Sequence, residues 1–140
     1  MQYIVYMKNA STKNCKKRKV LVGASRRLSR KEEKTMIKEI AGRAEFDEAL
    51  RSDSPVLADF YASWCAPCKM QSPILYEFAE AAADKVRIIK IDVDANAETA
   101  SEYGVDSIPT LALFVGGTER ERRVGLTTRS ELSDMLIKYL

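Results

Sequence analysis

The sequence predicts an α/β fold in which a central mixed β-sheet carries helices on both faces. From residue 36 onward, apolar runs of strand length alternate with amphipathic stretches of helix length, which is the pattern of a helix-covered sheet. Gly116 and Gly117 separate the last two strand-like runs and predict a hairpin, so at least one strand pair is antiparallel. A length of 140 residues with 46% hydrophobic and 31% charged residues fits one soluble globular domain.

The first elements are a short strand at residues 36–40 and a helix around residues 44–51. Within that helix, Phe46, Ala49 and Leu50 share one face by their spacing. Residues 56–62 form an almost continuous apolar run, as expected of a strand buried on both faces. Asp59 is the one acid inside that run, and a buried carboxylate there needs an explanation.

The second half alternates in the same way. A helix is predicted from residue 65 or 66 to about 83, with Pro73 kinking it, followed by a strand at 86–93 and a short helix at 96–103. A strand at 110–115 then leads through the glycine pair into a strand ending near Gly125. Thr128 and Glu131 form a capping-box pattern at the start of the last helix.

The charges divide the chain into two parts after Lys34. Residues 1–34 hold 11 Lys and Arg against 2 Glu, a net +9, whereas residues 35–140 carry a net −6. The sequence therefore predicts a basic, disordered extension at 1–34 and a folded domain at 35–140. Alternatives for the extension are an upstream segment ahead of a start at Met36, an organelle transit peptide, or a polyanion-binding patch at residues 16–19.

The cysteine and histidine counts restrict the chemistry. The chain has no histidine, which excludes Ser-His-Asp and Cys-His sites and imidazole metal ligands. Its three cysteines, Cys15, Cys65 and Cys68, are too few for a stapled secreted scaffold or a four-thiolate zinc site. Cys15 is expected to be a free thiol in the extension, with a regulatory or dimer-forming role as the alternative.

Cys65 and Cys68 form a C-x-x-C motif between a buried strand and the start of a helix. On the first helical turn the two side chains are neighbours and can close a small disulfide ring. The first cysteine also lies where free backbone N–H groups and the helix dipole favour a thiolate. A purely structural disulfide, or half of a zinc site, is the alternative at this point.

Residues 36–140 closely resemble the thioredoxin family, which would make the predicted fold a thioredoxin fold. The resemblance rests on residues 56–69 with the WCAPCK motif, and on Pro73, residues 90–92, residues 107–111 and three glycines, 116, 117 and 125. Ala66 replaces the glycine that is commonest in the family, which should change turn flexibility and redox poise modestly. Pro67 fits a reductant better than a strong oxidant.

The resemblance implies a role for each matching residue. Cys65 would be the nucleophile that attacks a substrate disulfide, and Cys68 the resolving cysteine that closes the redox-active disulfide with it. Asp59 would accept the proton of Cys68, with its pKa raised by burial, and Lys90 would support that proton transfer. A core acid simply paired to Lys90 is the alternative for Asp59, and a surface lysine the alternative for Lys90.

The same resemblance implies a docking surface for substrates, a protein-disulfide reductase activity and a set of partners. Pro109 matches the family's cis-proline, and the surface is formed with its neighbours: Trp64, Ala66, Pro67, Ile108, Pro109, Val124 and Gly125. For Trp64 a core indole is the alternative. Partners would be disulfide-containing proteins and a flavin-dependent thioredoxin reductase using NADPH, and the chain would need no bound cofactor or metal of its own.

The remaining expectations are a cytoplasmic monomer that contacts neither nucleic acid nor membrane, with organelle targeting through the basic segment as the alternative. No stretch of the sequence approaches the roughly 18 apolar residues of a spanning helix. The alternative function is a redox-inactive, thioredoxin-like binding subunit that would use the same apolar surface.

Overall fold

The structure is a computed structural model that describes residues 2–7, 18–23 and 37–140. The chain divides into two units, Met1–Arg30 and Lys31–Leu140. The extension predicted to be disordered contains two strands, β1 (Gln2–Met7) and β2 (Arg18–Gly23), which pair antiparallel with Gln2 opposite Gly23. Cys15, Lys16 and Lys17 lie outside the described residues, as do residues 24–36.

The described part of the second unit, residues 37–140, contains five strands and four α-helices in the predicted order. In chain order they are β3 (Ile37–Ile40), α1 (Arg43–Leu50), β4 (Val56–Tyr61), α2 (Ala66–Ala82), β5 (Arg87–Asp92), α3 (Ala97–Glu102), β6 (Thr110–Val115), β7 (Thr118–Val124) and α4 (Arg129–Ile137). A single 3₁₀ turn, Ala83–Lys85, follows α2.

The five strands form one sheet in the order β3-β5-β4-β6-β7. The β3/β5 and β4/β5 pairs are parallel, while β4/β6 and β6/β7 are antiparallel. The prediction of a mixed central sheet is therefore confirmed. β4 lies in the middle of the sheet, which explains why its sequence is almost entirely apolar.

Two apolar cores cover the two faces of the sheet. Helices α2 and α4 pack on one face, where Leu75, Phe78 and Leu132 meet Leu57 and Ile88 of the strands. Helices α1 and α3 pack on the other face, in a core that contains Phe46, Ala49, Leu50, Ala100, Ala58, Phe60, Ile89 and Ile91. Because side chains alternate along a strand, Asp59 lies on the face of β4 that α2 covers.

The helix boundaries follow from local sequence signals. Cys65 is the N-cap of α2, and its sulfur accepts a hydrogen bond from the N–H of Cys68. Pro73 lies inside α2, which runs without interruption from Ala66 to Ala82. Thr128 caps α4 in the predicted capping box, since Glu131 bonds back to the Thr128 N–H. None of the described helices is long and apolar enough to cross a bilayer.

β7 is an edge strand of unusual composition. Its sequence is TERERRV, and none of its side chains is fully buried. Arg122 pairs with Glu119, and Glu121 pairs with Arg123 and with Lys138 near the C-terminus. The last residue of the strand, Val124, is apolar and exposed.

Candidate active site

Cys65 and Cys68 lie where the central strand gives way to the helix that covers it. β4 ends at Tyr61, a short turn follows, and α2 begins at Ala66. The two cysteines form a disulfide, with their Cα atoms 5.3 Å apart. Both are buried, and the Cys68 N–H points at the Cys65 sulfur at 3.3 Å. An N–H aimed at that sulfur would stabilise a negative charge on it once the disulfide is reduced.

The loop before β6 lies against the first cysteine. The Ile108–Pro109 peptide bond is cis, as the resemblance implies. The Ile108 carbonyl oxygen is 3.8 Å from the Cys65 sulfur, and the Ile108 side chain packs against the cysteine pair. Gly125, at the end of β7, donates its N–H to the Pro109 oxygen at 2.8 Å. The structure thus brings the cis-proline loop and the Gly125 loop together beside the disulfide.

Asp59 is a buried carboxylic acid beneath α2. It is 1% exposed, and among the described residues neither carboxylate oxygen has a hydrogen-bond partner. Burial raises its pKa to about 7, partly opposed by the charge of Lys90 and reinforced by that of Glu39. A carboxyl group with this pKa can accept and release a proton near neutral pH.

Lys90 on β5 lies opposite Asp59 on β4, but its ammonium group contacts other residues. Its Nζ donates to the Ser72 hydroxyl at 3.0 Å and lies 4.4 Å from the centre of the Tyr61 ring. The Tyr61 hydroxyl in turn donates to Glu39, and burial together with that bond raises the pKa of Tyr61. A hydrogen-bonded pair between Asp59 and Lys90, the alternative considered from sequence, is therefore not what the structure contains.

An apolar surface surrounds the cysteines. Trp64 is 68% exposed rather than a core indole, and its Nε1 donates to Asp94 at 2.8 Å. Of the other residues predicted to form the docking surface, Ala66, Pro67 and Val124 are exposed, Ile108 and Gly125 are partly buried, and Pro109 is buried. Two more apolar side chains, Met70 and Leu126, are exposed and lie close in sequence to these residues. The sequence analysis did not include them in the docking surface.

Sequence reasoning also missed the polar residues that support the site. Ser72 and Glu39 became recognisable only from their contacts, because each partner is far away in the chain. Gln71 interrupts the apolar stripe of α2 and is fully buried, which is a signal that the sequence did contain.

Comparison with known proteins agrees with this geometry. The thioredoxin family pattern matches residues 37–138. The chain belongs to the thioredoxin family. Over 97 residues it is 48% identical to the thioredoxin of Alicyclobacillus acidocaldarius, covering 69% of this chain and 92% of that protein. Over 105 residues it is 41% identical to the thioredoxin of Rickettsia prowazekii, covering 75% and 100%.

Solved structures show the same fold. A mutant thioredoxin from Halobacterium salinarum superposes with a TM-score of 0.69 at 41% identity, covering 74% of this chain and 89% of that one. Mitochondrial thioredoxin 3 of Saccharomyces cerevisiae, in its oxidised form, gives 0.68 at 31% identity, covering 74% and 96%. Together with the Cys65–Cys68 disulfide, these relatives establish the chain as a protein-disulfide oxidoreductase that works by dithiol–disulfide exchange. They give no support to the redox-inactive alternative.

Proposed function

We propose that Cys65 is the nucleophile and Cys68 the resolving thiol in the reduction of protein disulfides. The observation that carries this assignment is the position of the Cys65 sulfur at the N-cap of α2, where the Cys68 N–H points at it. As a thiolate, Cys65 attacks one substrate sulfur, forming a mixed disulfide and releasing the other substrate sulfur as a thiolate. Cys68 then attacks the Cys65 sulfur and releases the second substrate thiolate. The pair loses two electrons and the substrate gains two.

We propose that Asp59 accepts the proton that Cys68 loses. Cys68 must lose that proton before it can attack, and Asp59 lies beneath the helix that carries it with a pKa of about 7. Within the described part of the chain this carboxylate has no hydrogen-bond partner, so no existing bond there has to break before it takes the proton. Lys90 supports the transfer by its positive charge, which favours the ionised form of Asp59.

We propose that the disulfide is recycled by a thioredoxin reductase, and that substrates dock on the apolar surface around Trp64 and Val124. Exposed apolar side chains next to a reactive sulfur favour an extended protein segment over a small polar disulfide. In this proposal residues 35–140 form the domain that carries out dithiol–disulfide exchange. Residues 1–34 form an extension that is not required for this reaction. The whole Rickettsia prowazekii protein aligns within 105 residues of this chain, which supports that division. A cytoplasmic location is part of the same proposal.

The test is insulin reduction coupled to NADPH oxidation by a thioredoxin reductase. The full chain should turn over, Cys65→Ser should not, and Cys15→Ser should match the unsubstituted chain because Cys15 precedes the matched region. A variant lacking residues 1–34 should retain the rate. Turnover that survives Cys65→Ser, or none in the full chain, would overturn the assignment.

A further inference from the structure

Gln71 makes a contact that no assigned role explains. It lies one helical turn after Cys68 on α2 and is fully buried, although its neighbours on that face, Leu75 and Phe78, are apolar. Its Nε2 donates to the Thr127 carbonyl at 2.9 Å, and the Thr127 N–H donates to its Oε1 at 2.8 Å. The side-chain amide therefore pairs with the Thr127 backbone as a strand residue would pair with its neighbour.

Thr127 depends on this pairing because it lies between two elements. β7 ends at Val124, and α4 begins at Arg129 with Thr128 as its cap. Among the described residues, neither strand nor helix supplies a backbone partner for the Thr127 N–H and C=O, and the residue is only 3% exposed. Buried peptide groups without partners are costly, so Gln71 satisfies two groups that water cannot reach.

The pairing connects to the reactive sulfur through the loop itself. The Thr127 hydroxyl donates to the Gly125 carbonyl at 3.1 Å, and the Gly125 N–H donates to the Pro109 carbonyl at 2.8 Å. The residue before Pro109 places its carbonyl 3.8 Å from the Cys65 sulfur. Gln71 in α2 is thus connected through Thr127, Gly125 and the cis-proline loop to Cys65 at the start of the same helix.

The loop held in this way carries two of the exposed apolar side chains near the cysteines. Val124 is 63% exposed and Leu126 is 46% exposed, on either side of Gly125, while Thr127 is turned inward. The φ angle of Gly125 is +89°, so this backbone conformation strongly favours glycine. The position of Thr127 therefore determines where the two apolar side chains lie relative to the cysteines.

We propose that Gln71 is a positioning residue for substrate docking, which holds the loop of Val124, Gly125 and Leu126 against the helix that carries both cysteines. The proposal rests on the proposed function, because it assumes that protein substrates contact this loop. Gln71 touches neither sulfur nor substrate, so its effect is on binding rather than on thiol chemistry.

Two substitutions separate the contributions of the amide. Gln71→Leu removes both hydrogen bonds, while Gln71→Glu keeps the acceptor and, when ionised, lacks the donor. Leu50→Ala is the control, because Leu50 lies in the core on the opposite face of the sheet and its truncation destabilises the fold without touching the loop. Thermal unfolding of all three variants measures how much stability each substitution removes. The Gln71 variant whose loss of stability matches that of Leu50→Ala is the one compared with this control.

The experiment measures kcat and KM for insulin in the reductase-coupled assay, and the rate at which the reduced protein reduces hydroxyethyl disulfide. Both Gln71 variants should raise KM for insulin about tenfold, equivalent to about 1.4 kcal/mol, with kcat and the small-disulfide rate within twofold of the unsubstituted chain. NMR hydrogen exchange at the Thr127 amide should accelerate at least tenfold in Gln71→Leu, which lacks the acceptor for the Thr127 N–H, and remain unchanged in Leu50→Ala.

Three outcomes would overturn the proposal. One is an unchanged KM with accelerated Thr127 exchange, since the loop would then be loose without affecting docking. Another is an equal rise in KM for Leu50→Ala, which would make the effect one of stability alone. The third is slow Thr127 exchange in Gln71→Leu, since the amide would then be protected without the Gln71 side chain. Failure of the unsubstituted chain to reduce insulin would instead refute the proposed function, so the two failures are distinguishable. If Gln71→Leu does not fold, the KM of Gln71→Glu decides, because that variant, when ionised, still lacks the donor to the Thr127 carbonyl.

Discussion

Replacing Asp59 by asparagine should remove most of the pH dependence of the unfolding free energy between pH 4 and pH 8. The carboxyl group has a pKa of about 7 in the folded chain, raised by burial from its ordinary value of 3.8. Between these two values the folded state holds a proton that the unfolded state has lost. Raising the pH through this window therefore favours unfolding, and the stability that protonated Asp59 contributes is fully lost above pH 7.

The size of the effect follows from the pKa difference. Each unit corresponds to about 1.4 kcal/mol, so a difference of about three units gives about 4 kcal/mol. Against a total stability of roughly 5–15 kcal/mol for a domain, this is a large fraction. Asparagine adds a pH-independent cost of about 1–3 kcal/mol, because its amide meets the same unpartnered environment. The slope against pH, rather than the stability at one pH, is therefore the diagnostic quantity.

The assay is urea unfolding of the oxidised protein at half-unit steps from pH 4 to pH 8.5. In this state neither Cys65 nor Cys68 titrates, and the chain has no histidine to contribute in the same window. The difference between the unsubstituted chain and Asp59→Asn should change by about 4 kcal/mol across the series. A difference that stays constant would show that Asp59 is ionised throughout, and the reasoning from its burial would be refuted.

Three further predictions concern the site and its supports. Lys90→Gln should raise the pH at which thiol–disulfide exchange accelerates, and Glu39→Gln should lower it, because Lys90 lowers the pKa of Asp59 and Glu39 raises it. The measurement is a stopped-flow pH series, and shifts of the same sign in both variants would contradict the prediction. Cys68→Ser should accumulate mixed disulfides with protein substrates on non-reducing gels, and a variant that traps none would remove Cys68 from the resolving role. Thr128→Ala should lower the unfolding free energy by about 1 kcal/mol in urea titrations, and an unchanged midpoint would argue against the capping box.

The parts of the structure that depend on neighbouring residues were predictable from the sequence. The apolar run of β4, the capping box of α4 and the glycine turn each depend on residues a few positions apart. The C-x-x-C motif belongs to the same class, because its chemistry depends on a single helical turn. These signals were enough to predict the order of elements and the mixed sheet.

The parts that depend on contacts across the chain were not predictable. Gln71 and Thr127 are 56 residues apart, and Lys90 and Ser72 are 18 residues apart on different elements. The strands β1 and β2 were missed for a related reason, since each is short and basic residues surround the second. Their pairing depends on the partner strand more than on local periodicity.

The charged edge strand β7 affects how a partner protein can approach the sheet. An edge strand offers unpaired backbone groups to which another chain can add. Along most of β7 such a chain would have to displace water from the charged side chains of residues 119–123. Among these, Glu119 pairs with Arg122, and Glu121 pairs with Arg123 and with Lys138. At Val124 the charges end and the surface becomes apolar. The strand thus discourages pairing along its length and leaves open the end nearest the disulfide.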